Sequence, residues 1–514
     1  MNPFLIMVKV VWSIILFHSS NCSSQSTTKH LPLFYNSHPL HSFPATGSLL
    51  SPLSNLNSNN AHFQYSSLKM QQILFFSLLT LSLSSLSKSQ QDCPSYIRAG
   101  YWLSTSNHYS PVSSINTSLY THLYYYSLSV DRTTSAVALP PSDQVPLLAK
   151  FSTTLKSTNP SLKTILCIAT EERQTGASNA AFSSMAADRN LRQVFVNSTV
   201  ELAKANAFDG IDLAWKFPAS SEDMANFAAL VAEWRDRIDQ EVENSSPPML
   251  LTASVYFSDH LFDLSNENND YPIDAILYNL DWINVITFGY HKNSNVTAAA
   301  APLYDKASHF SASYGIISWL DAGIPPCKIV MGIPLYGRSW SLKNKAKNGL
   351  GAQVVAFGPK QKKSNETGVM AYSEIAALLT ESNAVFEYDN RTVSAFFYSG
   401  SLWVSFDSLE VVEEKIEFAR SYKLLGYFLW PISFDDSNYT VSKQALEVWI
   451  KHNDSSQFSD GDDLEQAPAP SQLPPQHHGL TPSPATSGSD GRYRPGGRRP
   501  FYLLLFLLFY QATS

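Results

Sequence analysis

Between Cys93 and Asn453 the chain alternates short apolar runs with longer stretches of helical spacing. The runs are IRAGYW (97–102), HLYYYSLS (122–129), TILCIA (164–169), GIDLAW (210–215), LLTASVYF (250–257), WINVITFGY (282–290), KIVMGIPLYG (328–337) and GYFLWPI (426–432). Most are apolar at successive positions, which fits parallel strands covered on both faces. After the fourth run, Ser220 with Asp223 three residues on marks a helix start, and Met224, Phe227, Val231, Trp234 and Ile238 follow at helical spacing. Eight strand-plus-crossover units predict an α/β fold, a closed (β/α)8 TIM barrel. The gap between runs seven and eight is too long for a bare loop. Residues of about 340–405 contain VFEYDN, TVSAFFYS and LWVSF, which predicts a small α+β insertion between strand 7 and helix 7.

The flanks carry different patterns. Residues 3–17 and, more cleanly, the stretch from Met70 read as secretory signals, the second with an apolar run from Ile73 to Leu86 followed by Ser87 and Ser89. Residues 1–69 therefore read as a gene-model extension, 70–89 as the signal peptide, and 93–452 as the barrel. Residues 453–500 are Pro/Ser/Gln-rich, a composition that builds no core. Residues 501–514 close with the apolar run Phe501 to Tyr510, shorter than the roughly 20 residues a spanning helix needs. Ser487, Gly488 and Ser489 ahead of it match a glycosylphosphatidylinositol (GPI) attachment signal. A misread gene end or a lost membrane segment would leave the same pattern. The expectation is a secreted, extracellular glycoprotein, and the eight N-x-[ST] sequons between Asn116 and Asn453 are compatible with it.

Composition narrows the chemistry. The formal net charge of −7 points away from nucleic acid. Four cysteines, Cys22, Cys93, Cys167 and Cys327, are too few and too scattered to suggest a disulfide framework, and no His/Cys spacing suggests a metal or another cofactor. The informative stretch is DGIDLAWKFP (209–218). Side chains alternate along a strand, so Asp212, Ala214 and Lys216 share one face. An acid, a methyl and an ammonium aimed at one spot is an odd set for catalysis.

FDGIDLAWKFP resembles the strand-4 signature of family 18 glycoside hydrolases, Asp-x-x-Asp-x-Asp-x-Glu. GYW (100–102), THLYYYSLS, NPSLKTILCI, MANFAALVAEWR, GIPLYGRSW (332–340) and LLGYFLWPISFDDSN (424–438) extend the resemblance to plant class V chitinases over residues 96–450. The family implies substrate-assisted cleavage of β-1,4-linked N-acetylglucosamine, an exception to the usual two-carboxylate scheme. The final Glu gives a proton to the glycosidic oxygen, while the third Asp, with a Tyr and an Asp from strand six, holds the acetamide that attacks.

Against that pattern Asp209 and Asp212 match the first two aspartates, but Ala214 stands at the third and Lys216 at the proton donor. The strand-six Met-x-Tyr-Asp becomes Ile286, Thr287, Phe288 and Gly289. The strand-three Ser-x-Gly-Gly becomes Cys167, Ile168, Ala169 and Thr170. A lysine ammonium, titrating at about 10.4 in water, is a poor general acid. No catalytic set is intact. The resemblance implies sugar-binding roles for Trp430, the aromatic floor, and for Asp212, Tyr336, Arg338, Trp102, Trp340 and Tyr427, although Trp102 and Trp340 read equally well as core. An Asp212–Lys216 ion pair is expected to fill the vacated acid site. The reading is a chitinase-like pseudoenzyme with lectin-like binding of chitin or other N-acetylglucosamine glycans. Weak chitinase activity and a protein-interaction module, such as a glycosidase inhibitor or receptor ectodomain, stay open as alternatives.

Overall fold

The computed structural model describes residue 93 and residues 96–451, apart from 171–174, 219, 242–247, 263–268, 292–293 and 382. The signal-like segments, the Pro/Ser-rich stretch and the apolar tail lie outside the described residues. Among the described residues no helix is long and apolar enough to cross a membrane.

The strands in chain order begin with β1 (Ile97–Leu103), β2 (His122–Val130), a two-residue β3 (Val137–Ala138), β4 (Lys163–Ala169), β5 (Gly210–Ala214), β6 (Leu250–Val255), β7 (Trp282–Val285) and β8 (Ile329–Pro334). A second sheet follows: β9 (Tyr336–Leu342), β10 (Val354–Phe357), β11 (Val369–Ala371), β12 (Val385–Asp389), β13 (Ser394–Ser399) and β14 (Leu402–Phe406); β15 (Gly426–Trp430) then returns. β1, β2, β4–β8 and β15 pair in parallel, and β1 bonds both β2 and β15, so the ring closes as the eight-stranded barrel the apolar runs predict. The helices are α1 (Val145–Thr158), α2 (Thr175–Ala187), α3 (Arg189–Ala205), α4 (Ser221–Gln240), α5 (Ile273–Asn279), α6 (Ala312–Asp321), α7 (Tyr372–Glu381), α8 (Leu409–Ser421) and α9 (Thr440–Lys451). The second sheet, in the order β10-β9-β14-β13-β12 with β11 beside β9, and α7 form the insertion between strand 7 and its helix.

The alternation of side chains sorts two cores. Ala99, Tyr101, Tyr124, Cys167, Ala169, Ala214 and Phe428 fill the barrel interior. Their chain neighbours Trp102, Leu123, Tyr125, Ile168, Leu213, Tyr427 and Leu429 face outward to the helices. On α4 the Oγ of Ser220 accepts from the Asp223 N–H at 3.1 Å, and Met224, Phe227, Val231, Trp234 and Ile238 are buried, as their spacing predicts. At the closing seam a Cβ on Gly426 would stand 1.9 Å from the Ile97 carbonyl oxygen, so only glycine fits between β15 and β1.

The cysteines make no framework among the described residues, but two of them pair. Cys93 and Cys327 form a disulfide across a sequence separation of 234, tying the start of the described chain to the turn before β8. Counting cysteines could not find it, because its partners meet only when the barrel closes. Cys167 is free and buried. Replacing Cys93 and Cys327 by Ser should lower stability by about 2–4 kcal/mol, chiefly by releasing the unfolded chain. Thermal or urea unfolding with and without reductant measures it, and equal midpoints would show that the bond is idle.

Candidate functional site

Every barrel strand ends on the same face, where sites of this architecture are built. Inside it, Asp212 on β5 is fully buried. Its Oδ2 accepts from the Tyr101 hydroxyl at 3.0 Å, the Ser254 hydroxyl at 3.0 Å and the Cys167 thiol at 3.2 Å. Its Oδ1 accepts from Thr252 at 2.7 Å and from the Asn284 amide at 3.2 Å. The same amide reaches the hydroxyls of Tyr101 at 2.8 Å and Tyr124 at 3.2 Å, and the two tyrosine rings stack at 4.2 Å. One carboxylate thus joins β1, β4, β6 and β7, with β2 reached through Asn284. Burial raises the carboxyl above its ordinary range, and the hydrogen bonds from Thr252, Cys167, Ser254 and Tyr101 oppose that rise.

This corrects two expectations. Asp212 lies beneath the mouth, where it organises the interior instead of facing a ligand. The ion pair expected with Lys216 gives way to a ring of neutral donors around the carboxylate. Lys216 lies beyond the end of β5, partly exposed, with its N–H donating to the Thr170 hydroxyl at 3.1 Å. Its ammonium is still felt at the site: burial and Asp212 push the Cys167 thiol up, and the Lys216 charge acts against them.

Above this network lies an aromatic rim. The Trp430 ring meets Tyr126 edge-on at 4.5 Å and Tyr101 at 5.3 Å. Trp430, Tyr126, Ile286 and Phe288 are partly buried around the interior cluster that includes Ala214. Phe288 stands perpendicular to Tyr336 at 6.1 Å. Beside it Gly289 has φ +80°, and a Cβ there would lie 3.3 Å from the Tyr336 hydroxyl. The Arg338 guanidinium sits 5.6 Å from the Tyr336 ring centre, with Glu366 at 3.8 Å. Asp209 lies just before β5; it pairs with Lys156 at 2.7 Å and Lys163 at 3.4 Å and takes no part in the mouth.

Three expected ligand residues are core instead. Trp102 is wholly buried under α1, packed on Phe151 and Tyr125 with its indole N–H on the Ser110 carbonyl at 2.8 Å. Tyr427 faces outward against Trp449 of α9. Trp340 is buried in the insertion's own small core, opposite Trp403 and close to Phe396. The residues at the mouth are therefore Ala214, Lys216, Phe288, Gly289, Tyr336, Arg338 and Trp430. Tyr101, Tyr126, Thr252, Ser254 and Asn284 are the members that motif matching overlooked. Among the described residues no cluster of His, Cys, Asp or Glu could hold a metal ion.

A family profile described as "Glycosyl hydrolases family 18" matches residues 97–435, the length of the barrel. The chain belongs to glycosyl hydrolase family 18. Within the family it is similar to Nod factor hydrolase protein 1 of Medicago truncatula, at 37% identity over 358 residues, covering 69% of this chain and 90% of that one. A class V chitinase from Nicotiana tobaccum, solved as a mutant in complex with NAG4, superposes with a TM-score of 0.64 at 34% identity over 69% of this chain and 99% of that one. The chitinase-like agglutinin RobpsCRA from Robinia pseudoacacia gives a TM-score of 0.61 at 33% identity with the same coverage. This family 18 barrel thus has plant class V chitinases among its relatives, while its mouth presents a methyl at the end of β5, an ammonium just beyond it and an aromatic rim.

Proposed function

We propose that this family 18 barrel is a secreted, chitinase-like protein that binds N-acetylglucosamine-containing glycans without hydrolysing them. The observation that carries the reading is the β5 face: Ala214 is buried in the interior cluster and Lys216 stands at the rim, where the family pattern has an acetamide-positioning Asp and a proton-donating Glu. Glycosidic cleavage needs a proton at the leaving oxygen and stabilisation of a developing positive charge. An ammonium there is a poor acid and repels that charge. Phe288 and Gly289 supply neither hydroxyl nor carboxylate for the acetamide.

Binding asks for less. Sugar rings present apolar C–H faces to aromatic side chains, and Trp430 with Tyr126, Phe288 and Tyr336 offers such surfaces at the mouth. The NAG4 complex of the tobacco relative and the likeness to the Robinia chitinase-like agglutinin support carbohydrate binding as what the fold still does. The disulfide fits an oxidising compartment and so supports passage through the secretory pathway.

Purified protein should release no sugar from N-acetylglucosamine oligomers above a blank, and Lys216→Glu alone should not restore release because Ala214, Phe288 and Gly289 remain. Chromatography of the digests reads the result, with a glycan array run alongside for binding. Turnover by the unaltered protein would sink the proposal.

A further inference from the structure

The insertion's sheet has open edges at β10 and β12. On β10, Val355 is 66% exposed and Phe357 43%, and Val296 and Leu350 are exposed apolar residues as well. An open strand edge carrying apolar side chains is a template for pairing with another chain. The protein covers part of it. Residues 294–297, in the loop after β7, run antiparallel along the start of β10: the Val354 N–H donates to the Asn295 carbonyl at 3.2 Å, the Thr297 N–H donates to the Ala352 carbonyl at 2.8 Å, and Val296 bridges to Gln353. Among the described residues this pairing reaches as far as Val354. At that point stands Asn295, its side chain exposed, as the first residue of the sequon Asn295-Val296-Thr297.

We infer that Asn295 carries an N-linked oligosaccharide, and that this glycan shields the open apolar edge of β10. Phe357 lies only about 10 Å along the strand from Val354, where Asn295 is bonded, within reach of a branched oligosaccharide. The transfer is redox-neutral. The Asn295 amide nitrogen forms a bond to the anomeric carbon of an oligosaccharide carried on a lipid diphosphate. The bond from that carbon to the diphosphate oxygen breaks, the lipid diphosphate leaves, and the amide proton passes to a base. Transfer precedes docking of this loop, because in the folded chain Thr297 is buried, with its hydroxyl donating to the Gly349 carbonyl at 2.7 Å and accepting from the Ala352 N–H at 2.9 Å. Other sequons sit differently. Asn390 and Asn438 are exposed at turns, and the Asn197 side chain accepts from Arg237 at 2.9 Å.

The inference rests on the secretory passage proposed above, and glycopeptide mapping of the full chain expressed in plant cells and recovered from cells and medium separates the two. Glycan on the Asn295 peptide supports it. A bare Asn295 beside modified Asn390 or Asn438 overturns it alone, and three bare sites overturn it together with secretion. Shielding is read separately. Asn295→Gln, and enzymatic deglycosylation of the folded wild type, should each raise binding of an apolar fluorescent dye and shift light scattering toward self-association, while Asn390→Gln should not. No change in either measurement refutes the shielding role. The enzymatic arm holds even where the variant folds poorly.

Discussion

Lys415→Ala should lower the unfolding free energy by about 3–5 kcal/mol, among the largest losses open to a single side chain in this protein. Lys415 on α8 is fully buried and bonded to Asp407, itself 4% exposed, one residue after β14. Burial pushes Lys415 down and Asp407 up, each toward its neutral form, and each charge holds the other against that pull. Removing the ammonium leaves a carboxylate in a dry site beside a cavity. The pair also clamps the exit of the insertion to the helix that leads into the last barrel strand, so the loss should be global, not confined to the insertion. Urea unfolding followed by circular dichroism measures it. The double replacement Asp407→Leu with Lys415→Met should recover most of the loss, because an apolar pair of similar volume needs no mutual compensation. A single variant as stable as the wild type would mean that water reaches the pair.

Trp430→Ala should weaken binding of an N-acetylglucosamine tetramer by roughly 30-fold, from about 2 kcal/mol of lost aromatic contact. Trp430 ends β15 at the mouth, partly exposed, braced edge-on by Tyr126 and Tyr101 so that little ordering remains to be done on binding. Lys216→Ala should change affinity little, since Asp212 keeps its neutral donors from four strands without it. Titration calorimetry on both variants decides the matter, with circular dichroism as the check on folding. If Trp430→Ala binds as well as the wild type, the sugar is not at the barrel mouth, and an interaction-module role gains ground.

The barrel was legible because eight apolar runs and their crossovers leave few other ways to bury both faces of a parallel sheet. The mouth was legible only where a motif fixed the register. In GYW (100–102) the indole of Trp102 looks like the sugar platform, yet Ala99 and Tyr101 face the interior and Trp102 therefore faces the helices. The same one-residue step separates Tyr427, which packs outward, from Phe428 and Trp430, which point in. Counting parity from the small interior residues Ala99 and Gly426 would have sorted all of these. Trp340 could not be placed that way, because its neighbours Trp403 and Phe396 come from strands more than fifty residues on. The Asp212 network was hidden for a related reason: Thr252, Ser254 and Asn284 are ordinary strand residues until closure brings them around one carboxylate.

Gly289 sets the cost of any side chain at its place in the mouth. Its backbone occupies the left-handed region at φ +80°, where a side chain costs about 1 kcal/mol or more, and a new Cβ would press on the Tyr336 hydroxyl. A carboxylate introduced at this position would carry that backbone cost and require the Tyr336 hydroxyl to give way by a few tenths of an ångström. The proposed function also expects no gain from an acid at 216 alone, since the acetamide clamp would still be missing. Under that reading, single reversions would give selection acting on catalysis nothing to hold. Under the proposed function, loss of hydrolysis would work as a ratchet, leaving the barrel free to drift toward whatever its aromatic rim binds.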